Sequence, residues 1–423
     1  MNPREILRES FEQGLAAVDP LKIVPAHLPA PPRGRTLVVG AGKAAAAMAA
    51  AVEANWPAEA ALSGLVITRY GHAVPTRRIE VIEAAHPVPD DAGAAAARRI
   101  LDAVSTLGAD DLLLALISGG GSSLLSLPVA GVGMDDLRAV TRDLLRCGAT
   151  IQEINTVRKH VSVIQGGRLA AACKAPGLAL VISDVTGDDP THVASGPCAP
   201  DPTRYEDALA VLERYGVTPP LSVGHHLERG ARGEIDETPK PGDAVFGHVE
   251  NRVIATSHDA LSAGSAYFEK LGIFSRILGD SVSGEASEVA KVYGALAREI
   301  KTHSEPWPTP VALISGGETT VTVHGGGRGG RNCEFLLSLA VDLQGLAGVY
   351  ALACDTDGID GTESNAGALL APDTLPRARA LGLRAERMLA DNDGYGFFER
   401  LNDLIVTGPT RTNVNDYRVI LVM

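Results

Sequence analysis

Glycine-rich turns next to cationic or hydroxyl side chains are the features of this chain with the clearest capacity for chemistry. The first, GAGKAAAAM at residues 40–48, places Gly40, Gly42 and Lys43 between an apolar strand and a helix. Backbone N–H groups and the helix dipole favour an anion at such a turn, and Lys43 adds a full positive charge. The turn therefore predicts a site for a phosphate or another anionic group. The alternative is a tight turn with a solvated lysine.

The same turn also fits a dinucleotide-binding pattern, since Gly40, Gly42 and Ala45 satisfy G-x-G-x-x-A. The acidic residue that this pattern requires after the next strand is missing, because that strand runs into Thr68 and Arg69. An arginine there could suit an NADP phosphate. An NAD(P)H oxidoreductase therefore stays open as an alternative, while the sequence has no Walker A motif and disfavours a P-loop enzyme.

A second glycine-rich turn, SGGGSS, follows the apolar run LLLALI. Three consecutive glycines weaken a fold unless something must come near the backbone. The turn therefore predicts a nest for an oxyanion or a carboxylate, with a tight strand–helix turn as the alternative. Its residues are Ser118, Gly119, Gly120, Gly121, Ser122 and Ser123.

Cationic side chains occur in two further segments. NTVRKH places Arg158, Lys159 and His160 on a predicted helix, where no more than two of them can share a face. Either they help to bind an anion or they form a solvated helix face. GGGRGGRNCE sets Arg328 and Arg331 in a glycine-rich loop just before a helix, and arginine binds phosphate through two parallel hydrogen bonds.

Carboxylates follow two of the predicted strands. Asp184 stands at a strand end and Asp189 follows in a loop dense in Asp, Gly and Pro. Such a carboxylate can act as a general base or a magnesium ligand, although Asp also stabilises turns. Asp355 and Asp357 follow a later strand and predict a magnesium site; the spacing there does not fit an EF-hand loop.

Alternating strands and helices position these residues. Apolar strand segments at 36–40, 112–117 and 177–184 are each followed by a turn or loop and then a helix. Such alternation is typical of a doubly wound parallel sheet. Near the end of the chain the strands at 403–408 and 417–422 are joined by a short polar connection, which predicts an antiparallel pair. We therefore expect an α/β fold with a Rossmann-like doubly wound N-terminal sheet and a mixed C-terminal sheet.

The periodicity weakens between residues 215 and 249, where four prolines cluster. This stretch predicts a boundary between domains at 1–240 and 245–423. The segment LISGG at 116–120 recurs at 313–317, each time at the C-terminal end of an apolar strand. Ligands of open α/β sheets bind at that edge, so we interpret the two segments as loops facing one interdomain cleft, although five matched residues could also arise by chance.

Composition excludes several classes of protein. The 423 residues carry a formal charge of −13 without a basic run, which argues against binding to nucleic acid or to an anionic membrane. The longest strongly apolar run is far below the roughly 18 residues of a membrane span, and the N-terminus lacks a secretory apolar region. Five cysteines without CxxC spacing fit reduced cytoplasmic thiols better than a zinc site. A homodimer stays open.

Taken in order, the motifs resemble the glycerate 2-kinase family, and the match spans nearly the whole chain. It rests on GAGKAAAAM, HPVPD, SGGGSSLL, NTVRKHVS, DVTGDDPTHVASGP, SGGETTV, GGRNCE, DTDGIDG and TGPTRTNVND. The resemblance implies ATP-dependent phosphorylation of D-glycerate at its 2-hydroxyl, with Mg²⁺ as the divalent metal. It also implies an active site in the cleft between an N-terminal glycerate-kinase domain and a C-terminal MOFRL-type domain.

On the family's pattern Lys43 and Arg331 are the active-site cations, and Asp184 is the expected base. Asp355 and Asp357 are expected to hold the metal. The other residues expected to bind substrate or phosphate are Gly40, Gly42, Ser118, Gly119, Gly120, Gly121, Ser122, Ser123, Arg158, Lys159, His160, Asp189, Ser315, Gly316, Gly317, Glu318 and Asn332.

Two positions depart from the family's pattern. Cys333 stands where the family usually has glutamine, and Gln165 stands where lysine is common. A change in affinity or nucleotide choice is expected if these side chains touch a ligand. Two other functions stay open: an NAD(P)H-dependent hydroxypyruvate reductase, because family members have carried that label, and a sugar-phosphate-binding module without catalysis.

Overall fold

The structure is a computed structural model that describes residues 2–423. Contacts within it divide the chain into two units. The first unit is Pro20–Ile254, and the second joins the N-terminal helix α1 (Pro3–Ala17) to Ala255–Met423. No helix within residues 2–423 combines the length and the apolar character needed to cross a bilayer.

The first unit is built on a six-stranded sheet with helices on both faces. Its strands are β1 (Thr36–Ala41), β2 (Leu62–Arg69), β3 (Ile79–Ala84), β4 (Leu112–Ser118), β5 (Gly177–Ile182) and β6 (Val249–Ala255). Its helices are α2 (Pro20–Ile23), α3 (Ala45–Asn55), α4 (Asp91–Ser105), α5 (Gly121–Leu124), α6 (Met134–Arg146), α7 (Ile151–His160), α8 (Arg168–Ala171), α9 (Tyr205–Arg214) and α10 (Leu221–Ala231).

The strand order in this sheet is β3-β2-β1-β4-β5-β6, and β1 to β5 run parallel. This is the strand order of the dinucleotide-binding Rossmann fold, and it confirms the predicted doubly wound parallel sheet. Every residue of β4 is buried, as expected of an apolar strand covered on both faces. The carboxyl ends of β1 and β4 lie side by side at the point where the order reverses, which is where ligands bind in such sheets.

Small side chains explain the tight packing of α3 on this sheet. Ala45, Ala46, Ala47 and Ala49 are buried, and the helix contacts β1, β2 and β4. On the opposite face α4 packs its buried alanines and Ile100 against Leu65, Ile67 and other strand residues. The proline-rich stretch flanks a separate apolar cluster formed by α6, α7, α9 and α10.

The second unit is a mixed sheet between two helical layers. Its strands are β7 (Phe274–Gly279), β8 (Val311–Ser315), β9 (Val349–Asp355), β10 (Gly367–Leu370), β11 (Leu404–Ile405) and β12 (Asp416–Val422). Besides α1, its helices are α11 (Ser257–Lys270), α12 (Ala286–His303), α13 (Arg331–Leu343), α14 (Thr374–Ala380), α15 (Ala385–Ala390) and α16 (Gly394–Leu401).

The order of this sheet is β11-β10-β9-β12-β8-β7, with β7 and β8 parallel and the other pairs antiparallel. Alternation along β12 feeds two cores: Ile420 and Val422 face α12 and α13, whereas Val419 and Leu421 face α1 and α11. The predicted mixed C-terminal sheet is therefore present.

Three features of the structure differ from the sequence-based expectations. Residues 249–255, which the predicted boundary assigns to the second domain, form the edge strand β6 of the first sheet, next to β5. Helix α1, expected in the first domain, buries Leu7 and Phe11 in the second unit. The expected pair of final strands does not form, because β12 inserts between β8 and β9 while β11 pairs with β10.

Candidate active-site residues

The turn between β1 and α3 is hydrogen-bonded to the loop of residues 118–123, called here the serine-glycine loop. The amide of Lys43 donates to the carbonyl of Gly119 at 2.8 Å, and the amide of Ala44 donates to Ser118 Oγ at 3.0 Å. Gly42 has φ of +137°, and a Cβ atom there would lie 2.1 Å from Ser118 Oγ. Glycine at this position is therefore required by the close approach of Ser118.

Few backbone donors are left in that turn for a ligand. Gly42 N donates to the carbonyl of Ile67 at 3.1 Å, and Ala45 N donates to the carbonyl of Gly42 at 3.1 Å. Together with the bonds from Lys43 and Ala44, these contacts use the amides that a pyrophosphate would need. Gly40 is explained by packing, because its Cβ would lie 2.2 Å from the carbonyl of Leu116 on β4.

The serine-glycine loop keeps its own donors available. Gly120 has φ of +79°, and a Cβ there would lie 3.1 Å from the ring of His86 and 3.3 Å from Cγ of Lys43. Among the described residues, the amides of 119–123 have no hydrogen-bond acceptor. The loop therefore offers backbone donors beside the half-buried side chains of Lys43 and His86. His86 was not predicted as a site residue, although the HPVPD segment that contains it had been noted.

A hydroxyl and amide cluster adjoins this loop. Ser195 Oγ lies 2.9 Å from Ser122 Oγ and 3.0 Å from Asn155 Oδ1, and Asn155 Nδ2 donates to the carbonyl of His192 at 3.2 Å. Ala194 and Ser195 both have positive φ, 52° and 59°. Two consecutive non-glycine residues in this region are strained, and such strain clusters at functional sites.

Arg158 brings an uncompensated positive charge to that cluster. Its Nη1 donates to Asn155 Oδ1 at 3.3 Å, and no carboxylate in residues 2–423 forms an ion pair with it. Burial lowers the pKa of the Arg158 guanidinium to about 10. A cation held in a partly desolvated position without a counterion is suited to an anionic ligand.

The structure gives Lys159 and His160 another role. Both are buried: Lys159 Nζ donates to Asp201 Oδ1 at 3.3 Å, and His160 Nε2 lies 3.4 Å from Glu237. Burial lowers the pKa of Lys159, and the charge of Asp201 opposes that effect. Both side chains are paired with carboxylates inside the unit. Of the three predicted cations, only Arg158 therefore joins the hydroxyl cluster.

The two predicted carboxylates of this unit stand in different surroundings. Asp184 follows β5 and is half-buried. Asp189 is exposed, and its Oδ1 accepts a hydrogen bond from the amide of Thr191 at 2.9 Å, which is a turn-stabilising contact.

In the second unit Arg331, the first residue of α13, is surrounded by carboxylates. Its Nε donates to Asp416 at 2.9 Å, its Nη2 donates to Asp355 at 2.7 Å, and its Nη1 lies 3.3 Å from Glu318. Burial alone would lower the pKa of Arg331, but these three carboxylates raise it well above its usual value. Arg331 is therefore permanently charged and rigidly held. Asp416, which orients it, was missed at the sequence level although it lies in the noted TNVND segment.

The loop after β8 is organised by a buried arginine. Arg418 donates to the carbonyls of Gly316 at 2.9 Å and Gly317 at 3.3 Å, and to Asp416 at 2.6 Å. The amide of Gly316 donates to the carbonyl of Gly279. The predicted donors of this loop are therefore partly committed to the fold, whereas the buried Ser315 Oγ has no hydrogen-bond partner within residues 2–423.

The N-terminus of α13 already holds an anionic group. The buried carboxylate of Asp360 accepts hydrogen bonds from the amides of Asn332 and Cys333, each at 2.9 Å. A phosphate was expected at this helix end, and Asp360 occupies two of its donors. In the part of the chain that the structure describes, the amides of Gly329, Gly330 and Arg331 have no acceptor.

Asp355 and Asp357 are buried at the carboxyl end of β9. Asp355 Oδ1 accepts from the amide of Asp357 at 2.9 Å, and Asp357 Oδ1 accepts from the amide of Ile359 at 2.8 Å. Residues 2–423 contain no group of three or more His, Cys, Asp or Glu side chains that could hold a metal ion. Mg²⁺ is commonly held by one or two carboxylates with water and substrate phosphates. In this structure both oxygens of Asp355 already accept hydrogen bonds, Oδ1 from the Asp357 amide and Oδ2 from Arg331 Nη2.

The two departures from the family's pattern contact the protein itself. Gln165 Nε2 donates to the carbonyls of Ser122 at 2.8 Å and Leu125 at 3.1 Å, so it supports the serine-glycine loop from behind. Cys333 is fully buried, and burial raises the pKa of its thiol well above the usual value. Both residues therefore act on the loops rather than as reactive groups.

Comparison with known proteins gives consistent matches over the whole chain. Residues 6–228 match the domain of unknown function DUF4147, and residues 311–416 match the MOFRL family. A protein of Agrobacterium vitis, provisionally named hydroxypyruvate reductase, is 51% identical over 100% of this chain and 95% of its own.

Two further matches concern Thermotoga maritima. Its D-glycerate 2-kinase is 39% identical over 99% of this chain and 97% of its own. The crystal structure of a glycerate kinase from the same organism aligns with a TM-score of 0.87 at 37% identity, covering 99% of each chain. The chain therefore belongs to the glycerate 2-kinase family.

Proposed function

We propose that this enzyme transfers the γ-phosphoryl group of ATP to the 2-hydroxyl of D-glycerate, forming 2-phospho-D-glycerate and ADP. The relatives named as glycerate 2-kinases support the reaction class. The structural observation that carries the choice of substrate is Arg158, a cation beside the serine-glycine loop that has no carboxylate partner among residues 2–423. A small hydroxy acid supplies the missing anion.

The glycerate carboxylate is proposed to bind to Arg158 and to the hydroxyls around Ser195. Arginine presents two parallel donors that match a carboxylate. Ser195 and Ser122 add hydroxyl groups 2.9 Å apart, and the amides of residues 119–123 add backbone donors. These groups would orient a three-carbon acid so that its 2-hydroxyl is directed to the phosphoryl donor, which is the positioning that such transfers depend on.

The transfer itself needs positive charge around the moving group more than covalent chemistry. Lys43 and Arg331 are the proposed cations. Arg331 is preorganised by three carboxylates, and Lys43 extends across Gly120. Asp184 is proposed to accept the proton of the 2-hydroxyl, in keeping with its position after β5 at the carboxyl edge of the sheet.

Asp355 and Asp357 are the residues proposed to hold Mg²⁺. The ion would neutralise charge on the β- and γ-phosphate oxygens of ATP. The ion pair with Arg331 fixes the orientation of the Asp355 carboxylate.

A nicotinamide-dependent reductase has less support. It would need the turn between β1 and α3 to bind a pyrophosphate, yet the amides of Gly42, Lys43, Ala44 and Ala45 donate to protein acceptors. The family-model matches do not distinguish the two activities. The direct test is to incubate the purified chain with ATP, Mg²⁺ and D-glycerate and to measure ADP, beside a second assay with NADH or NADPH and hydroxypyruvate. ADP formation without nicotinamide oxidation is the expected outcome, and the reverse result would reject the proposal.

The cytoplasm is the proposed location, supported by five free cysteines of which four are buried. The proposed domains are a glycerate-kinase region and a MOFRL region. A homodimer is the proposed assembly, and sedimentation equilibrium, which measures the mass of the assembly, tests it.

A further inference from the structure

A cavity of about 280 Å³ lies within the second unit beside the first turn of α13. The glycine-rich segment of residues 327–330 forms one side of it. Thr319, Val321, Val323, Arg331, Glu334, Gly361 and Asn392 line the remainder. The proposed reaction assigns no ligand to this cavity.

Two polar side chains that are almost fully buried line the cavity. Thr319 is 3% exposed, and among residues 2–423 its Oγ1 has no hydrogen-bond partner. Glu334 is 5% exposed and accepts one hydrogen bond, from Asn392 Nδ2 at 3.3 Å. A buried hydroxyl without a partner costs free energy, so a ligand that supplies the missing bond would be favoured.

The charges around Glu334 disfavour an anion at this end of the cavity. Burial raises the pKa of Glu334 to about 7, and the nearby carboxylates of Glu285 and Asp360 add to the rise. The positive charge that lines the cavity, on Arg331, is already balanced by its own carboxylates. A neutral group that can both donate and accept hydrogen bonds therefore suits Glu334 better than a phosphate or a carboxylate does.

The other walls favour a flat ring. Val321 and Val323 supply apolar side chains for a planar heterocycle to pack on, and the glycines of the glycine-rich segment have no side chains that would exclude it. A protonated carboxyl group can donate to N1 of adenine and accept from its N6 amine at the same time. Gly329, Gly330 and Arg331 line the same cavity, and their amides, which have no acceptor among residues 2–423, are suited to the phosphate oxygens of a nucleotide.

We propose that this cavity holds the adenine base of the nucleotide, with Glu334 and Thr319 hydrogen-bonded to its polar edge. The inference rests on the proposed ATP-dependent reaction and assigns the nucleotide to the second unit. The carboxylate-binding groups around Arg158 then belong to the other substrate.

Substitutions at the two buried groups test the assignment in the full-length protein. Thr319→Val keeps the shape and removes the hydroxyl, while Glu334→Ala removes both hydrogen-bonding oxygens and Glu334→Gln replaces them with a neutral donor and acceptor. Glu386→Gln on the exposed surface of α15 is the matched control. Dissociation constants for ADP from calorimetry, and KM values for ATP and D-glycerate, are measured for each protein. Tripolyphosphate, which lacks a base, is the second probe.

Thr319→Val should weaken ADP binding about 3- to 10-fold without lowering the melting temperature, and Glu334→Ala should weaken it about 10- to 100-fold. Glu334→Gln should stay within about 3-fold of the wild type, because its amide reproduces both bonds. KM for D-glycerate and competition by tripolyphosphate should be unchanged in all variants.

Unchanged ADP affinity in both Thr319→Val and Glu334→Ala would overturn the assignment, and so would a rise confined to KM for D-glycerate. If the variants weaken ADP binding as expected but the wild type forms no phosphoglycerate, the adenine site is supported and the proposed reaction is rejected. A wild-type protein that does not bind ADP at all would reject the site itself.

Discussion

Neighbouring residues in this enzyme serve different purposes even where their chemistry is alike. Arg158 and Lys159 are adjacent cations on α7. Within the described part of the chain Arg158 lies beside Asn155 and has no acidic partner, whereas Lys159 forms a buried ion pair with Asp201. Residue type and spacing made both equally good candidates for anion binding. The acidic partner decides between them, and it lies 42 residues further along the chain.

Substitution of these two cations should separate binding from stability. Arg158→Ala should raise KM for D-glycerate about 10- to 100-fold, because a charge-assisted hydrogen bond is lost, with little change in the free energy of unfolding. Lys159→Ala should lower the free energy of unfolding by about 3–5 kcal/mol, because Asp201 is left charged and buried. Steady-state kinetics and urea unfolding of both variants measure the contrast. Equal effects of the two substitutions on KM would contradict it.

Glu334 should make stability depend on pH in a defined direction. Its pKa in the folded chain is about 7, mainly because of burial, against 4.5 for the ordinary carboxyl group. Between these values the folded chain binds more protons than the unfolded chain, so this group's contribution falls as pH rises from about 4.5 to about 7. Glu334→Gln removes that contribution.

The variant should therefore match the wild type near pH 4.5 and become more stable relative to it at pH 8. Urea unfolding at several pH values tests this, with Glu386→Gln as the exposed control. A difference between wild type and Glu334→Gln that does not change with pH would show that the Glu334 carboxyl group titrates normally.

At the scale of elements, the first unit depends on the contact between two turns that follow neighbouring parallel strands. Ser118 Oγ accepts from the amide of Ala44, and Gly42 leaves the space that Ser118 fills. The amides of Lys43 and Ala44 in the β1–α3 turn donate to the serine-glycine loop, so they are not available to a ligand. The amides of the serine-glycine loop stay available.

Gly42→Ala should break that contact. The substitution adds backbone strain of about 1–3 kcal/mol and overpacking of about 1–3 kcal/mol against Ser118. Gly71→Ala is the matched control, since Gly71 has φ of +79° but nothing within 4 Å of its Cβ position, so only about 1–2 kcal/mol is expected. Urea unfolding compares the two. If both variants lose the same stability, the approach of Ser118 does not constrain the turn.

Much of the fold at this scale could be predicted from the sequence. Fully apolar runs such as 112–117 indicated the buried parallel strands, and the glycine-rich turns after them indicated where loops meet at one sheet edge. The position of α1 could not be predicted, because the sequence of an amphipathic helix does not indicate which core the helix packs against. The position of β12 between β8 and β9 could not be predicted from the sequence either, because strand order within a sheet depends on contacts between residues that are distant in sequence.

The sequence indicated where some candidate residues lie in the fold but not which groups they contact. Lys43 and the serine-glycine loop lie at the expected edge of the first sheet. The neutralisation of Arg331 by Asp416 and Asp355, and the capping of α13 by Asp360, depend on residues that meet only in the folded chain. Glu334 was overlooked, because nothing in the sequence distinguishes a buried glutamate on a helix from an exposed one.

At the scale of the whole molecule, the proposed reaction draws on both units. Lys43 belongs to the first and Arg331 to the second. Removing Arg331 would leave three carboxylates without their cation, so Arg331→Ala should lower the free energy of unfolding as well as the activity. Arg331→Lys keeps the charge and is the better probe.

Lys43→Ala and Arg331→Lys should each lower kcat, the first by roughly 10²–10³-fold, as removal of a preorganised charge donor does. The double variant should lose less than the product of the single effects, because both cations would stabilise the same transition state. Arg328→Ala is the control: Arg328 is an exposed residue paired with Glu363, and its removal should leave kcat unchanged. Strictly multiplicative losses would indicate that the two cations act in separate steps.

The position of the transferred phosphoryl group tests the central claim most directly. Purified enzyme is incubated with ATP, Mg²⁺ and D-glycerate, and the product is coupled to enolase with no phosphoglycerate mutase present. Enolase consumes 2-phosphoglycerate, so an immediate signal that disappears when D-glycerate is omitted is the result that the account predicts. A signal that develops only after mutase is added would mean that the 3-hydroxyl is phosphorylated, and no ADP under any condition would mean that the chain is not a glycerate kinase.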